Sequence, residues 1–233
     1  LQTDWGEHGF LRARACTECY GAVDLKKHLE RLAPHASFHL QSRIPETGNG
    51  IAVGRLAAER LRLLPNPPAE LAEGEFAIET VVREGQTLNL LAADNGQASL
   101  YAASAYLEAL GIRWYSPSPD GTCCCRPPAP FTLPILSLRE SPGFKTRACY
   151  SELVDDSDEA FLDWMMHNRL NFVYFEQYRH PEQLKKRGIQ ICMGGHNMLS
   201  RYLPPAKYYA RHPDWFGLVD GKRSGNVGEG GVE

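Results

Sequence analysis

The sequence predicts an α/β chain in two parts, a small α+β domain with a mixed sheet followed by a run of βα units. Three observations carry this. Between residues 36 and 115, short apolar or alternating runs are interleaved with two helical periodicities, in the irregular order of an α+β layer. Seven prolines between Ser116 and Pro142 then interrupt the pattern with a semi-rigid, extended stretch. Beyond them, runs at 144–150, 171–175 and 189–193 alternate with helical segments; the last two are almost wholly apolar, as in strands buried on both faces of a parallel sheet.

In chain order, Asp24 is placed to N-cap a helix over residues 24–32, with Leu25, Leu29 and Leu32 on one face and Pro34 as its stop. Residues 36–40 read as a short strand, and Ile51-Ala52-Val53 as another. A helix over 54–64 is broken by Asn66-Pro67-Pro68. Phe76, Ile78, Thr80 and Val82 alternate, and Gly85 turns the chain into the run 88–91, giving a hairpin. Asp94-Asn95-Gly96 supplies turn residues that tolerate positive φ. From Gln97 to Leu110, Leu100, Ala103, Leu107 and Leu110 recur at helical spacing and predict one buried face. Gly111 stands where a left-handed C-cap belongs, and 112–115 is extended.

In the second part, 144–150 is a strand and 158–168 a helix with Phe161, Trp164 and Met165 on one face. A strand over 171–175 follows, then a helix from Pro181 to Arg187 closed by Gly188, and a strand over 189–193. Three βα units in series favour a parallel sheet or barrel. A (β/α)8 barrel takes about 250 residues, so residues 143–233 supply the first βα units of an incomplete TIM-type barrel. The chain then reads as a piece of a longer protein: an α+β domain over 1–116, a Pro-rich linker over 117–142, and the beginning of the barrel. The competing architecture is a small complete three-layer α/β domain.

Composition narrows the function classes. Of 233 residues, 43% are hydrophobic and 23% charged, as in ordinary soluble domains. A net charge of -3 opposes nucleic-acid binding, which a basic face would signal. No apolar run reaches the ~18 residues of a membrane span, and LQTDWGEHGF at the start lacks the basic and apolar regions of a signal peptide. Seven cysteines are an odd number, so at least one thiol stays unbridged or pairs between chains. That count fixes neither redox compartment nor oligomeric state.

Several motifs bear on chemistry. Cys16-x2-Cys19, fifteen intervening residues and His35-x3-His39 match zinc-finger spacing. A finger needs both histidines on one helix face, yet Pro34 ends the helix before His35. The expectation is therefore no metal and no cofactor, with a zinc-binding module on these four residues as a remote alternative. Gly48-x-Gly50-x3-Gly54 reads as turn glycines around a strand, since the strand–loop–helix order of a nucleotide loop is missing. Of the acidic group Glu152, Asp155, Asp156, Asp158 and Glu159, most suits helix capping and dipole charge, while Glu152 lies nearest a strand end. Glu176 ends the strand FVYFE, and in a barrel that edge faces the active site. His196 and Asn197 follow two glycines that permit a sharp turn. Arg147 offers a fixed fork of donors suited to vicinal diols or a carboxylate. Candidate binding residues are thus Arg147, Glu152, Glu176, His196 and Asn197. Trp164, Tyr174, Tyr178 and Trp215 read mainly as core, Tyr178 also offering a stacking face.

Four stretches carry a resemblance: GIAVGR (50–55), EGEFAIET (73–80), LYAASAYLEALGIRWYSPS (100–118) and HPDWFGLVDGKR (212–223). They resemble a bacterial family, described as a domain of unknown function, with a glycoside-hydrolase-like layout. In that layout an α+β domain similar to those of β-N-acetylhexosaminidases and xylan-directed α-glucuronidases precedes a (β/α)8 barrel. The resemblance implies a glycan-active protein, with a carbohydrate partner and a secreted or periplasmic setting. It places the catalytic carboxylate pair on later strands beyond Glu233, so no catalytic residue is expected among these residues. It also implies an inward Arg147 bonding sugar hydroxyls, and a Gly-Gly-His turn presenting His196 to substrate. The alternative of another class is a noncatalytic carbohydrate-binding or scaffold module.

Overall fold

Alternation in the 76–93 region builds the first sheet. The computed structural model describes residues 10–124, 130–150, 154–175, 178–192 and 201–225. It divides into two compact units, Leu1–Ile191 and Cys192–Glu233. In the first, β2 (Phe76–Arg83) and β3 (Gln86–Ala93) form the expected antiparallel hairpin, turned by Glu84 and Gly85, both at positive φ. β1 (Gly50–Val53) pairs parallel to β3, and β6 (Ser137–Glu140) pairs antiparallel to β2, giving the order β1-β3-β2-β6.

Period-two geometry sorts the side chains of this sheet to two faces. Ala52, Ala77, Leu88, Leu90 and Ala92 pack with Ala57 and Leu61 of α2 (Arg55–Arg62). Phe76, Ile78, Leu91 and Ala93 pack with Leu25, Leu29 and Leu32 of α1 (Phe10–Leu32) and with α3 (Gly96–Ala109). Gly54 joins β1 to α2 at φ 70, and a Cβ there would stand 2.5 Å from the Glu18 side chain. Glu18 accepts from the Arg55 amide at 3.2 Å. The helix end that a phosphate would need is thereby filled by the chain's own carboxylate.

Asn95 caps α3 by accepting from the Ala98 amide at 2.8 Å, and Gly111 leaves it at φ 93. α3 differs from the one-faced helix expected. From Gly96 to Leu107, all but Gln97 is buried, because alanines and serines let neighbours approach on every side. One set of neighbours is the sheet and α1; another is α4 (Glu159–His167), whose Met166 joins the same core.

Three further expectations are corrected. α1 begins near residue 10, so Asp24 is mid-helix rather than an N-cap. Residues 36–40 form no strand; Phe38 instead packs edge-on to Phe131, ring centroids 5.7 Å apart. The proline-rich stretch holds two strands, β5 (Thr122–Cys124), paired with β4 (Ile112–Trp114), and β6.

After β6 the expected alternation appears: β7 (Ala148–Tyr150), α4, β8 (Phe172–Tyr174), α5 (Pro181–Lys186) and β9 (Gln190–Cys192). Asp158 caps α4 through the Phe161 amide at 3.0 Å. β7 and β8 are parallel, and the sheet order is β7-β8-β9. Among the described residues these strands form an open sheet, and no closed barrel is seen. The architecture is mixed α/β. No helix among the described residues is long and apolar enough to cross a membrane.

The second unit holds α6 (Pro205–Tyr208), a 3-10 turn (Pro213–Trp215) and a hairpin of β10 (Leu218–Val219) with β11 (Lys222–Arg223). Asp220 and Gly221 turn the hairpin at positive φ. Arg223 donates to the Phe216 carbonyl at 2.7 Å, so the HPDWFGLVDGKR stretch closes on itself. Trp215 stacks on His212 at 3.9 Å and remains 52% exposed, where a core position was expected.

β6 is fastened by charge. Arg139 reaches buried Glu75 through Nε at 2.6 Å and Nη2 at 2.8 Å, while the Ala72 amide and Ser141 hydroxyl complete the carboxylate's partners. Arg139 and these hydrogen bonds hold Glu75 down to about 2, below its usual 4.5. A depressed carboxylate stabilises the fold above its unfolded value and loses that contribution as pH falls through the folded one. Glu75→Gln should therefore lower unfolding free energy at pH 7 by about 1–3 kcal/mol. Its deficit against the parent should shrink as pH drops from 4.5 toward 2 in urea melts.

Candidate functional site

Parallel strands joined by crossover helices gather their C-terminal ends at one edge. Here Ala148, Cys149 and Tyr150 pair with Phe172, Val173 and Tyr174. Tyr150 and Tyr174 therefore close their strands side by side, ring centroids 6.1 Å apart and tilted by 39°. Tyr150 is 61% exposed. Tyr178, an expected stacking face, is turned inward: its hydroxyl accepts from the Phe175 amide at 3.1 Å and donates to the Val173 carbonyl at 3.2 Å.

Arg147 lies at the other end of β7. Its Nε donates to the Arg169 carbonyl at 2.6 Å, its Nη1 to the Phe144 carbonyl, and the guanidinium stands 5.4 Å over the Tyr101 ring. Asn171 completes that end. It accepts from the Arg147 amide at 2.8 Å, donates to the Lys145 carbonyl at 2.9 Å, and its own carbonyl receives the Gln190 amide at 2.8 Å. One buried amide side chain and its backbone thus align the starts of all three strands. Glu152, Glu176, His196 and Asn197 lie outside the described residues. Of the remaining acidic group, Asp156 receives the His180 amide at 2.5 Å and fixes the start of α5 to the start of α4.

A second constellation sits inside the fold. Asp24 and His28 are one turn apart on α1, and His167 ends α4. They are 6%, 7% and 2% exposed, and one ligand-capable atom from each lies within 4.8 Å of the others. His167 Nε2 is 3.5 Å from Asp24 Oδ2, and His28 Nδ1 is 3.5 Å from Asp24 Oδ1 and 3.0 Å from the Asp24 carbonyl. Ser104 donates to the Leu100 carbonyl at 3.1 Å, so at 3.3 Å it accepts from His167 Nδ1. Trp114 covers the site, stacked on His167 at 4.0 Å and 3° and meeting His28 edge-on at 5.5 Å. Burial raises Asp24 to about 6, opposed chiefly by His28, and burial drives His167 well below its usual 6.5.

Beside it, Arg187 is 1% exposed and makes four hydrogen bonds. Nε donates to Asp163 at 2.7 Å, Nη2 to Glu159 at 3.0 Å, and Nη1 to the Gln183 carbonyl and side chain at 3.0 and 2.9 Å. Tyr20 from α1 donates to the same Asp163 oxygen at 2.8 Å. This network joins α1, α4 and α5. The Asp24–His28 spacing is visible in the sequence, but its meeting with His167 requires the tertiary fold.

The cysteine–histidine set does not assemble. Cys16 and Cys19 lie within α1, whereas His35 and His39 are exposed in the loop after it. Among the described residues, Asp24, His28 and His167 are the group gathered at metal-ligand distances. No known family model matches the chain. No curated protein matches it significantly.

Asp24 and His167 make opposing contributions in acid. A carboxyl raised by folding costs stability as pH rises from 3.8 toward 6, while an imidazole held neutral costs stability as pH falls below 6.5. Between pH 6 and 4 the two contributions therefore oppose each other. Asp24→Asn removes one of them. Its unfolding free energy in urea should fall more steeply than the parent's between pH 6 and 4.5; parallel curves would contradict this assignment.

Proposed function

We propose that this chain is the front part of a glycan-active protein, whose sugar-handling edge lies at the C-terminal ends of β7, β8 and β9. The observation that carries the reading is the tyrosine pair: Tyr150 and Tyr174 are register partners at the last positions of parallel strands, with Tyr150 open to solvent. In sheets with crossover helices, ligands bind at that edge. Aromatic faces bring a large apolar area and a polar tip, which suits a sugar ring's mixed surface. The resemblance of the four sequence stretches to a glycoside-hydrolase-like layout supports the same substrate class.

Glu152, Glu176, His196 and Asn197 follow β7, β8 and β9 in the sequence and lie outside the described residues, so they remain candidates from the sequence alone. Arg147 immediately precedes β7, with Nε and Nη1 given to main-chain carbonyls. We read it as the brace that seats β7 against α3 rather than as the first sugar contact. Hydrolysis requires two carboxyl groups roughly 5 Å apart for retention and further for inversion. In this reading that pair comes from later barrel strands, and the chain supplies recognition.

Affinity electrophoresis against neutral, uronate-bearing and N-acetylated soluble polysaccharides tests the proposal. At least one class should retard the chain. Tyr150→Ala should weaken that retardation roughly 3–10-fold, the scale of one aromatic contact, with an unchanged melting temperature. Retardation by no polysaccharide, or retardation indifferent to both Tyr150→Ala and Tyr174→Ala, would overturn it. Binding without release of reducing ends is the outcome expected of a noncatalytic module.

A further inference from the structure

We propose that Asp24, His28 and His167 form a binding site for one divalent transition-metal ion of the zinc class. The spacing of the three groups suits a shared ion better than mutual hydrogen bonds. A charge-assisted N–H···O contact closes to about 2.7–2.9 Å, whereas His28 Nδ1 and His167 Nε2 each stand 3.5 Å from an Asp24 carboxylate oxygen; Nδ1 also meets the Asp24 main-chain carbonyl at 3.0 Å, so the ion binds with the His28 proton moved to Nε2. Ligands bound at about 2.0–2.1 Å in tetrahedral array lie roughly 3.4 Å from one another. Two imidazoles on one such ion hold their ring centroids roughly 5 Å apart, and those of His28 and His167 are 5.1 Å apart.

The surroundings match a built site. Asp24 and His28 are four residues apart on α1, the spacing that puts two ligands on one helix face, and the third ligand arrives from α4. Ser104 accepts from His167 Nδ1 and turns Nε2 toward Asp24, the outer-shell bond that orients a metal-bound histidine. Trp114 packs against both rings. Two imidazole nitrogens with one carboxylate favour zinc, cobalt or nickel over magnesium or calcium, which take oxygen. The two Asp24 oxygens face the two imidazoles separately, so the carboxylate is placed to chelate.

Chelator-treated chain titrated with Co2+ is the direct test. One equivalent should bring up visible d–d bands of tetrahedral intensity, and Zn2+ should displace them and raise the melting temperature. The Cys16→Ser/Cys19→Ser double variant should keep the full equivalent, without a sulfur-to-cobalt charge-transfer band. Ser104→Ala, which retains every ligand, should bind Co2+ roughly 10–100-fold more weakly. The proposal fails if the parent takes up no stoichiometric cobalt, or if folded His28→Gln or His167→Gln still binds one equivalent. Should those two variants not fold, Ser104→Ala binding as tightly as the parent overturns it.

Discussion

A helix without a solvent face is the constraint on which the rest of the first unit depends. α3 is shared: the mixed sheet and α1 take part of its circumference, and α4 with β4 take more. Leucine-sized side chains all round would hold those layers apart, so the sequence places Ala98, Ser99, Ala102, Ala103, Ser104 and Ala105 where neighbours come closest. The serine hydroxyls fold back on their own helix, Ser99 onto the Asn95 carbonyl at 2.8 Å and Ser104 onto the Leu100 carbonyl at 3.1 Å. A helix of low intrinsic amphipathicity thereby becomes the centre of one core to which the sheet, α1, β4 and α4 all contribute.

That sharing explains where the polar groups lie. Hydrophobic burial alone tolerates sliding of one layer on another, whereas buried polar partners fit one register. Asn89 on β3 meets the Tyr106 hydroxyl at 2.8 Å, setting the sheet against α3. The Arg187 network sets α4 and α5 against α1. Asn168 donates to the Trp114 carbonyl at 3.0 Å, fixing the end of α4 on β4. A buried charge such as Arg187 gains little net stability over an apolar packing, and its removal leaves Asp163 with only the Tyr20 hydroxyl, while Glu159 keeps Lys186. Its contribution is to alignment.

Periodicity made most elements legible: the β2–β3 hairpin, α2, α3 and the β7–α4–β8–α5–β9 alternation all follow local pattern and capping residues. Failures occurred where tertiary contact overrides local signal. The first fourteen residues of α1 carry Cys16, Thr17 and Gly21 and show no clean apolar stripe, yet the Gly21 region packs closely on Leu100. β6 is half exposed and read as linker, because its strand character comes from pairing with β2 and from Glu75. Residues 36–40 alternate like a strand but find no partner strand. Of the two candidate sites, the proposed strand-end edge follows from βα order, whereas the 143-residue separation of Asp24 from His167 hides their meeting from any local pattern.

Size and access separate the two constellations. Ser104, His167 and Asp24 form a chain of the residue types used for acyl transfer, but the geometry opposes that chemistry. His167 meets the hydroxyl through Nδ1 and the carboxylate through Nε2, the reverse of the usual arrangement. Ser104 is 1% exposed and spends its proton on the Leu100 carbonyl, so no carbonyl carbon can approach its oxygen. A sugar is excluded for the same reason. An ion needs no more room than a water molecule, and the carboxylate and imidazoles that bind it are already dry and oriented. At the strand ends the balance is opposite, for Tyr150 presents area to solvent and no buried charge. The two proposed ligands differ accordingly, a sugar for the open aromatic edge and an ion for the enclosed donor set.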